Sequence, residues 1–236
     1  MATILRNYVL HFLALLACAV LVAPARAEER QREFVPELNA YASFSDRTRL
    51  FLLADLTRNL TADTSESEFG AHLDYTLKPY FRPELRDANW ERNRYFWTRI
   101  GYLQLGTPDK ARTGPTERRV ILELTGRMPL AQEVWLVHRG RVDLRDIGGE
   151  SSQRYRYRLG IEREIKMGGI VTVPYAQAEF FYDTRYDSWN RQLYQAGAEI
   201  ELSKRWRIEP YLAVQNDNRS TSGNVNRAGL VLKYYR

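Results

Sequence analysis

Charged side chains recur at every second position over long stretches of the chain, and this spacing places them on one face of a β-strand. Opposite charges enclosed on such a face form ion pairs, whereas a ring of like charge lines a pore that selects ions. Two interpretations are therefore open: a network that fills and stiffens an interior, or an arginine-lined path for anions. We favour the network, because the carboxylates are too numerous for an anion-selective lining. Its predicted members are Arg139, Arg141, Asp143, Arg145, Arg154, Arg156, Arg158, Glu162, Glu179, Glu199, Glu201, Arg205, Arg207, Glu209 and Arg227.

Acid–base catalysis has few candidates. His72 and Asp74 are two residues apart, so on a strand their side chains share a face. A serine nucleophile would have to come from a loop, with Ser65 and Ser67 as candidates. The sequence has no G-x-S-x-G elbow and no HExxH or comparable metal-ligand spacing. We therefore predict no catalytic residue, no metal site and no cofactor, and we interpret His72 as a hydrogen-bonded structural residue.

Ten predicted strands would position these side chains. Each alternates apolar and polar residues, as where Phe69, Ala71 and Leu73 lie on the face opposite Glu68 and His72. No helical periodicity interrupts the alternation. The strands are predicted near 48–57, 68–78, 94–105, 118–128, 133–145, 153–165, 171–182, 190–202, 205–216 and 225–235. This pattern predicts an all-β fold, an antiparallel up-and-down barrel.

The apolar face of such a barrel can point inward to a ligand or outward to lipid. Strands of this length match the tilted span of a bilayer rather than the shorter strands of soluble sheets. The charged face suits an interior in which opposite charges pair. Aromatic residues near the strand ends would form interfacial girdles; they are Trp90, Tyr95, Trp97, Trp135, Tyr182, Trp189, Trp206 and Tyr234. We therefore predict a transmembrane β-barrel of about ten strands, within a range of 10–12.

The links between the strands alternate in length. Short links at 129–132, 166–170 and 203–204 suit periplasmic turns, and longer ones at 106–117, 146–152, 183–189 and 217–224 suit external loops. This assignment places the C-terminus in the periplasm. Pro174 and Pro210 are expected at strand ends or bulges, because proline cannot donate to a ladder. Residues 34–44 also resemble a strand; either they pair outside the barrel, or a twelfth strand completes an even number.

The first 27 residues have the pattern of a cleaved secretory signal peptide. Arg6 precedes an apolar run, and Ala25 and Ala27 form a small-x-small cleavage site. The run is shorter than the roughly 20 residues of a membrane-spanning helix. A lipoprotein signal ending at Cys18 is a less favoured alternative. Three segments follow from this interpretation: a signal peptide at 1–27, an N-terminal segment at 28–47 with an extra strand left open, and an outer-membrane barrel at 48–236.

Composition excludes some partners. The chain carries a formal charge of +6, but its positive and negative residues are interleaved. Nucleic-acid-binding proteins instead gather basic residues on one face. If Cys18 leaves with the signal peptide, no thiol remains for a disulfide or a metal site. We therefore expect no nucleic-acid partner and no cysteine chemistry.

Several stretches resemble the bacterial family called domain of unknown function 2490. They are EFGAHLDY at 68–75, VWLVHRGRVDLR at 134–145, RYRYRLG at 154–160, PYAQAEFFYD at 174–183, WNRQ at 189–192 and RIEPY at 207–211. The resemblance extends over nearly all of the chain after the signal peptide. It implies an outer-membrane β-barrel and, as the family's name says, no assigned activity.

The C-terminus resembles the signal read by the barrel-assembly machinery, with Gly229, Leu232 and Tyr234 at the required spacing. The chain departs from that pattern by continuing through Tyr235 to Arg236. The sequence thus predicts an outer-membrane barrel, structural or narrow-pored, with lipid, the assembly machinery and a small solute or ion as partners. The alternative is a barrel enzyme, lipid-modifying or proteolytic, with a site at the rim.

Overall fold

The computed structural model describes residues 30–80, 83–86, 89–106, 116–131, 133–219 and 223–236. The predicted signal peptide, with Ala25 and Ala27, lies outside the described residues. The strands are β1 (Gln31–Ser43), β2 (Thr48–Asn59), β3 (Thr64–Thr76), β4 (Phe96–Gly106), β5 (Glu117–Ala131), β6 (Val134–Ile147), β7 (Glu150–Arg163), β8 (Ile165–Met167), β9 (Ile170–Asp183), β10 (Ser188–Glu201), β11 (Trp206–Asp217) and β12 (Val225–Tyr235). All ten predicted strands are present.

The strands close into a barrel of eleven. Strands next to one another in sequence pair in antiparallel fashion, and the short β8 continues β7 alongside β9 in the same register. Closure is made by β1, which pairs with β12 in parallel from Gln31↔Val225 to Tyr41↔Tyr235. The predicted fold class and the range of 10–12 strands are confirmed.

The parallel seam between β1 and β12 answers the question left open for residues 34–44. They belong to the wall, and no twelfth strand is needed, because a parallel first–last pair closes an odd number of strands. Backbone hydrogen bonds from Ser43 to Arg236 and from Arg236 to Tyr41 extend the seam to the last residue. Tyr235 and Arg236, the two residues after Tyr234, both pair with β1.

An odd number of strands places the two chain ends at opposite ends of the barrel. We call the end where β1 begins and β12 begins the N-terminal end, and the end where β12 finishes the C-terminal end. The C-terminal end also holds the turns at 44–47, at Glu133, at 168–169 and at 202–205, together with the described parts of the link between β3 and β4. The prediction of a long link at 146–152 is wrong. Strands β6 and β7 are joined by the two-residue turn Gly148-Gly149, whose φ values of 61° and 95° suit glycine.

The apolar face points away from the barrel axis. Phe69 is 60 % exposed, and Leu52, Ile100, Leu122 and Ile161 are exposed on other strands. The buried residues include many charged and polar side chains, among them Asp74, Asp143 and Glu179. This inside-out distribution is the one expected of a wall that faces acyl chains.

Aromatic side chains gather at both ends of the outer wall. Trp206 packs on Tyr234 at the C-terminal end, with ring centroids 4.8 Å apart. Tyr182 packs between Tyr155 and Trp189 at the N-terminal end, at 6.2 and 5.8 Å. Such rings suit the two interfaces of a bilayer.

The girdle predictions for Trp97, Trp135 and Tyr95 are wrong, because these residues have the lumen parity of their strands. Trp97 lines the cavity, and Trp135 lies under Arg127 and stacks on Tyr95 at 5.6 Å.

Three strand prolines lie where the hydrogen-bonded ladder is interrupted, not at strand ends. Pro36 falls in a gap of the β1–β2 register, Pro174 in the gap between β7 and β8, and Pro210 in a gap of the β10–β11 register. The registers also align them, since Pro36 and Pro210 both pair with Leu230, and Pro174 pairs with Ala198. Proline has no N–H to donate, so each gap lies where a donor is missing.

A short helix, α1 (Trp90–Asn93), follows a 3-10 turn (Pro83–Leu85) in the link between β3 and β4. Arg47 in the β1–β2 turn pairs with Glu91 at 2.7 Å and lies over the Trp90 ring at 4.7 Å. Arg92 pairs with Asp46 at 3.2 Å. The helix is thereby held at the mouth of the C-terminal end. No described helix has the length and apolar character needed to cross a membrane.

Candidate functional site

The interior of the barrel holds a network of ion pairs centred on Glu179, which is 1 % exposed. Its carboxylate accepts from Arg139 at 2.6 Å, from Arg156 at 2.9 and 3.0 Å and from Arg158 at 2.8 Å. Three guanidiniums thus share one carboxylate. Hydrogen bonds to ionised groups are the strong ones, so this cluster joins β6, β7 and β9 firmly.

A second cluster closes the N-terminal end of the same wall. Asp183 binds Arg145 at 2.7 Å, Arg154 at 2.8 Å and Arg185 at 3.2 Å. Arg145 also pairs with Glu117. Between the clusters, Arg141 and Arg156 approach Asp143 at 2.5 and 3.7 Å. The wall formed by β6 and β7 is therefore dense in arginine.

Aromatic rings stack across the seam. Tyr235, Tyr41, Phe51 and His72 lie in one row on four consecutive strands, with neighbouring centroids 4.7, 4.8 and 4.9 Å apart. Guanidiniums cover three of the rings: Arg207 over Tyr235, Arg49 over Tyr41 and Arg99 over Phe51, at 4.8, 4.4 and 4.3 Å. The row ends at Gly101, where an added Cβ would lie 1.9 Å from His72 Nδ1.

Ion pairs also join the strands on either side of the seam. Arg227 of β12 binds Glu33 of β1 at 2.7 Å. Lys233 of β12 binds Glu199 of β10 at 2.5 Å and also pairs with Glu209 of β11. These contacts stabilise the point of closure, where no turn connects the two strands.

A row of carboxylates lies on the opposite wall. Glu37, Asp55 and Glu68 are register partners on β1, β2 and β3. Glu37 accepts from Asn39 Nδ2 at 2.6 Å, and Glu68 lies 3.6 Å from Arg119. Among the described residues, Asp55 makes no hydrogen bond or ion pair. In the ring of eleven strands, β2 is opposite the boundary between β7 and β9, so the carboxylate row lies across the lumen from the arginines.

A cavity of about 920 Å³ runs between these walls. Its lining includes Glu33 and Thr57 near the N-terminal end and Glu199 and Tyr235 near the C-terminal end. Arg94, which follows α1, also lines it. Burial, and then repulsion from Arg49, lowers the pKa of Arg94 to about 10, so this guanidinium stays charged at neutral pH.

The structure places most of the predicted charge network on the lumen side. The predicted members on β6, β7 and β9–β12 make the contacts given above, Glu162 pairs with Arg127, and Glu201 lies 3.4 Å from Arg207. The prediction for Arg205 is wrong. Arg205 lies exposed in the turn 202–205, because the strand begins only at Trp206. The predicted strand starts one residue too early.

Sequence reasoning missed several members of the network. Each lies on the polar face of its own strand, and the alternation of that strand was the signal that could have found it; they are Glu33, Arg49, Arg99, Glu117, Arg119, Glu123, Asp183, Arg191, Asp217 and Lys233. The carboxylate row on β1–β3 was missed because it becomes a row only when the strands pair.

The residues considered for catalysis do not come together. Asp74 is bound by Arg49 and Arg99, at 2.8 and 2.6 Å. His72 is 4 % exposed, and neither ring nitrogen has a hydrogen-bond partner among the described residues, which corrects the expected hydrogen-bonded role. Ser67 has the opposite parity to His72 and donates to the Gly106 carbonyl at 3.2 Å. Within the described ranges, no group of three or more His, Cys, Asp or Glu side chains is placed to hold a metal.

The residues of the predicted assembly signal have structural contacts in β12. Gly229 faces the lumen beneath the Tyr211 ring, and an added Cβ would lie 2.0 Å from Tyr211 Cζ. Leu232 and Tyr234 lie on the outer face, with Leu232 38 % exposed and Tyr234 packed on Trp206. Recognition by the assembly machinery stays a prediction.

A family model described as "Protein of unknown function (DUF2490)" matches residues 33–226, which confirms the resemblance seen in the sequence. No curated protein matches the chain.

Three solved structures are similar to the chain. The β domain of the Bordetella autotransporter BrkA is 12 % identical, with a TM-score of 0.47 over 81 % of this chain and 82 % of that one. An anion-selective porin from Comamonas acidovorans is 18 % identical, with a TM-score of 0.40 over 82 % and 54 %. LpxR from Salmonella typhimurium is 9 % identical, with a TM-score of 0.48 over 80 % and 83 %.

Proposed function

The chain belongs to the family of unknown function DUF2490, and we propose that it is an outer-membrane barrel that forms a narrow pore for small solutes or ions, with a wall stiffened by buried ion pairs. One observation carries the proposal: the cavity of about 920 Å³ is lined by residues near both ends of the barrel. An interior filled entirely by paired side chains would leave no such volume.

Placement in the outer membrane is supported by the exposed apolar face and the two aromatic girdles. In lipid every backbone polar group needs a partner, which a closed ring of strands supplies. Membrane lipid and the barrel-assembly machinery are the partners this placement implies. The role proposed is not enzymatic. Asp74 forms ion pairs with Arg49 and Arg99, and Ser67, which has the opposite strand parity to His72, donates to the Gly106 carbonyl.

Single-channel recording in planar bilayers tests the pore. Thr57 lines the cavity, whereas its neighbour Leu56 is exposed on the outer wall. Thr57→Trp is expected to reduce the unit conductance, and Leu56→Trp is the matched control that adds the same ring on the lipid side. A parent protein that inserts but shows no current at any voltage would remove the proposal. Equal conductance in both variants would show that current does not pass through this lumen.

A further inference from the structure

We propose that the lumen accepts small zwitterionic solutes, with the cationic group against Glu37, Asp55 and Glu68 and the anionic group against the arginines that share Glu179. This inference rests on the proposed pore and adds its substrate class. It follows from two oppositely charged walls that line one cavity, each with an unused hydrogen-bonding group.

The wall formed by β1–β3 has an excess of carboxyl groups and of acceptors. Three carboxyl groups occupy consecutive register positions, and within the described residues Glu68 is the member with an ion-pair partner, Arg119 at 3.6 Å. Asn39, which is 5 % exposed, lines the cavity beside Glu37, and its Oδ1 has no partner among the described residues. A buried carbonyl oxygen beside carboxylates is an acceptor suited to an ammonium group.

The wall formed by β6 and β7 has the opposite character. Arg139, Arg156 and Arg158 share the carboxylate of Glu179, and all three arginines line the cavity. Glu123 lies 3.5 Å from Arg139, and Asp143 lies 3.7 Å from Arg156. With Arg141, which also pairs with Asp143, the cluster holds four arginines against three acids. The Nε of Arg139 is buried without a partner in the described part of the chain. Unused guanidinium donors beside a surplus of positive charge suit a carboxylate or phosphate group.

The two walls face each other, because β2 lies across the ring from the boundary of β7 and β9. Charges separated across a narrow lumen of low dielectric create a strong transverse field. A solute with both charges gains attraction at each wall, whereas a simple anion or cation gains at one wall and is repelled by the other. A neutral solute gains at neither.

Swelling of proteoliposomes tests this inference with two isomers of the same formula, glycine and glycolamide. Glycine is zwitterionic near neutral pH and glycolamide is uncharged, so size does not distinguish them. The triple variant Glu37→Gln/Asp55→Asn/Glu68→Gln removes the negative wall. The control is Glu133→Gln/Glu150→Gln, at two exposed positions that do not line the cavity. Heat-modifiable migration in detergent gels confirms that each variant is folded.

We expect the parent to pass glycine faster than glycolamide. In the triple variant the ratio of the two rates should fall by about threefold or more, because charged side chains set the selectivity of such a pore. The control should leave the ratio unchanged. A ratio that is the same in the parent and the triple variant overturns the inference and leaves the pore intact. If neither isomer enters, the pore and the inference both fall. If the triple variant does not fold, Asn39→Leu in its place must lower the ratio, and an unchanged ratio again overturns the inference.

Discussion

Replacing Glu179 by glutamine is expected to destabilise the barrel severely. The substitution keeps the shape of the side chain and removes the charge that Arg139, Arg156 and Arg158 share. At an effective dielectric constant of about 20, two charges roughly 4 Å apart attract by about 4 kcal/mol. Desolvation offsets much of this attraction in the intact cluster, but removing one partner leaves charges buried without compensation, at a cost of about 3–5 kcal/mol.

Nearby acids reduce this cost for two of the three arginines. Glu123 lies 3.5 Å from Arg139, and Asp143 lies 3.7 Å from Arg156. Arg158 has Glu179 as its ion-pair partner in the described structure. We therefore expect a loss near the lower end of the range, about 3 kcal/mol in the free energy of unfolding.

Urea titration of the refolded protein in detergent micelles, followed by heat-modifiable migration, measures this loss. Glu150→Gln is the control, because an exposed substitution usually changes stability by less than about 0.5 kcal/mol. Adding Arg158→Gln to Glu179→Gln should recover part of the loss, since the double variant strands one cation fewer. A Glu179→Gln protein as stable as the control would refute the reasoning that buried pairing holds this wall together.

Three further predictions concern two glycines and the orientation of the barrel. Gly101→Ala should lower the free energy of unfolding by about 1–3 kcal/mol, because the new methyl group meets the His72 ring. Gly140→Ala is the control and should not lower it, because an added Cβ there has no atom within 4 Å. Equal urea midpoints for the two variants would contradict this prediction. Gly229→Ala should lower the stability of the barrel, because the added methyl group overlaps with Tyr211. Adding Tyr211→Leu should restore the stability. If assembly stays slow in the double variant, the assembly machinery reads Gly229 as a signal, and packing against Tyr211 is not its main role. An epitope inserted at 218–224 should be accessible on intact cells and one at 202–205 should not, because the two lie at opposite ends of the barrel; the reverse labelling would invert the predicted orientation.

Much of the wall could be predicted from the sequence because alternation is a local property. A strand such as β7 shows its two faces in its own residues, and all ten strands predicted this way are present. What failed depended on pairing between distant segments. The parallel seam joins residues about two hundred positions apart, and an eleventh strand broke the even number expected of a bacterial barrel. The girdle assignments of Tyr95, Trp97 and Trp135 failed for a different reason, since closeness to a strand end does not say which face a side chain occupies.

The site divides in the same way. Arg154, Arg156 and Arg158 could be placed on one face from their spacing alone, but no spacing indicated that they would meet Glu179 rather than another acid. The turn before β11 explains why Arg205 is exposed, because parity has no meaning beyond the last paired residue. The row Glu37, Asp55 and Glu68 was beyond reach, since each member comes from a different strand.

The aligned prolines mark the line along which the wall opens most readily. Proline has no N–H to donate, and Pro36, Pro174 and Pro210 each lie in a gap of the hydrogen-bonded ladder. The gaps follow one line of register partners, but that line crosses tilted strands: Pro36 is the sixth residue of β1 counted from the N-terminal end of the barrel, whereas Pro174 is the fifth residue of β9 counted from the C-terminal end. Amides beside this line should exchange with deuterium sooner than those along the β5–β6 ladder from Glu117 to Pro129.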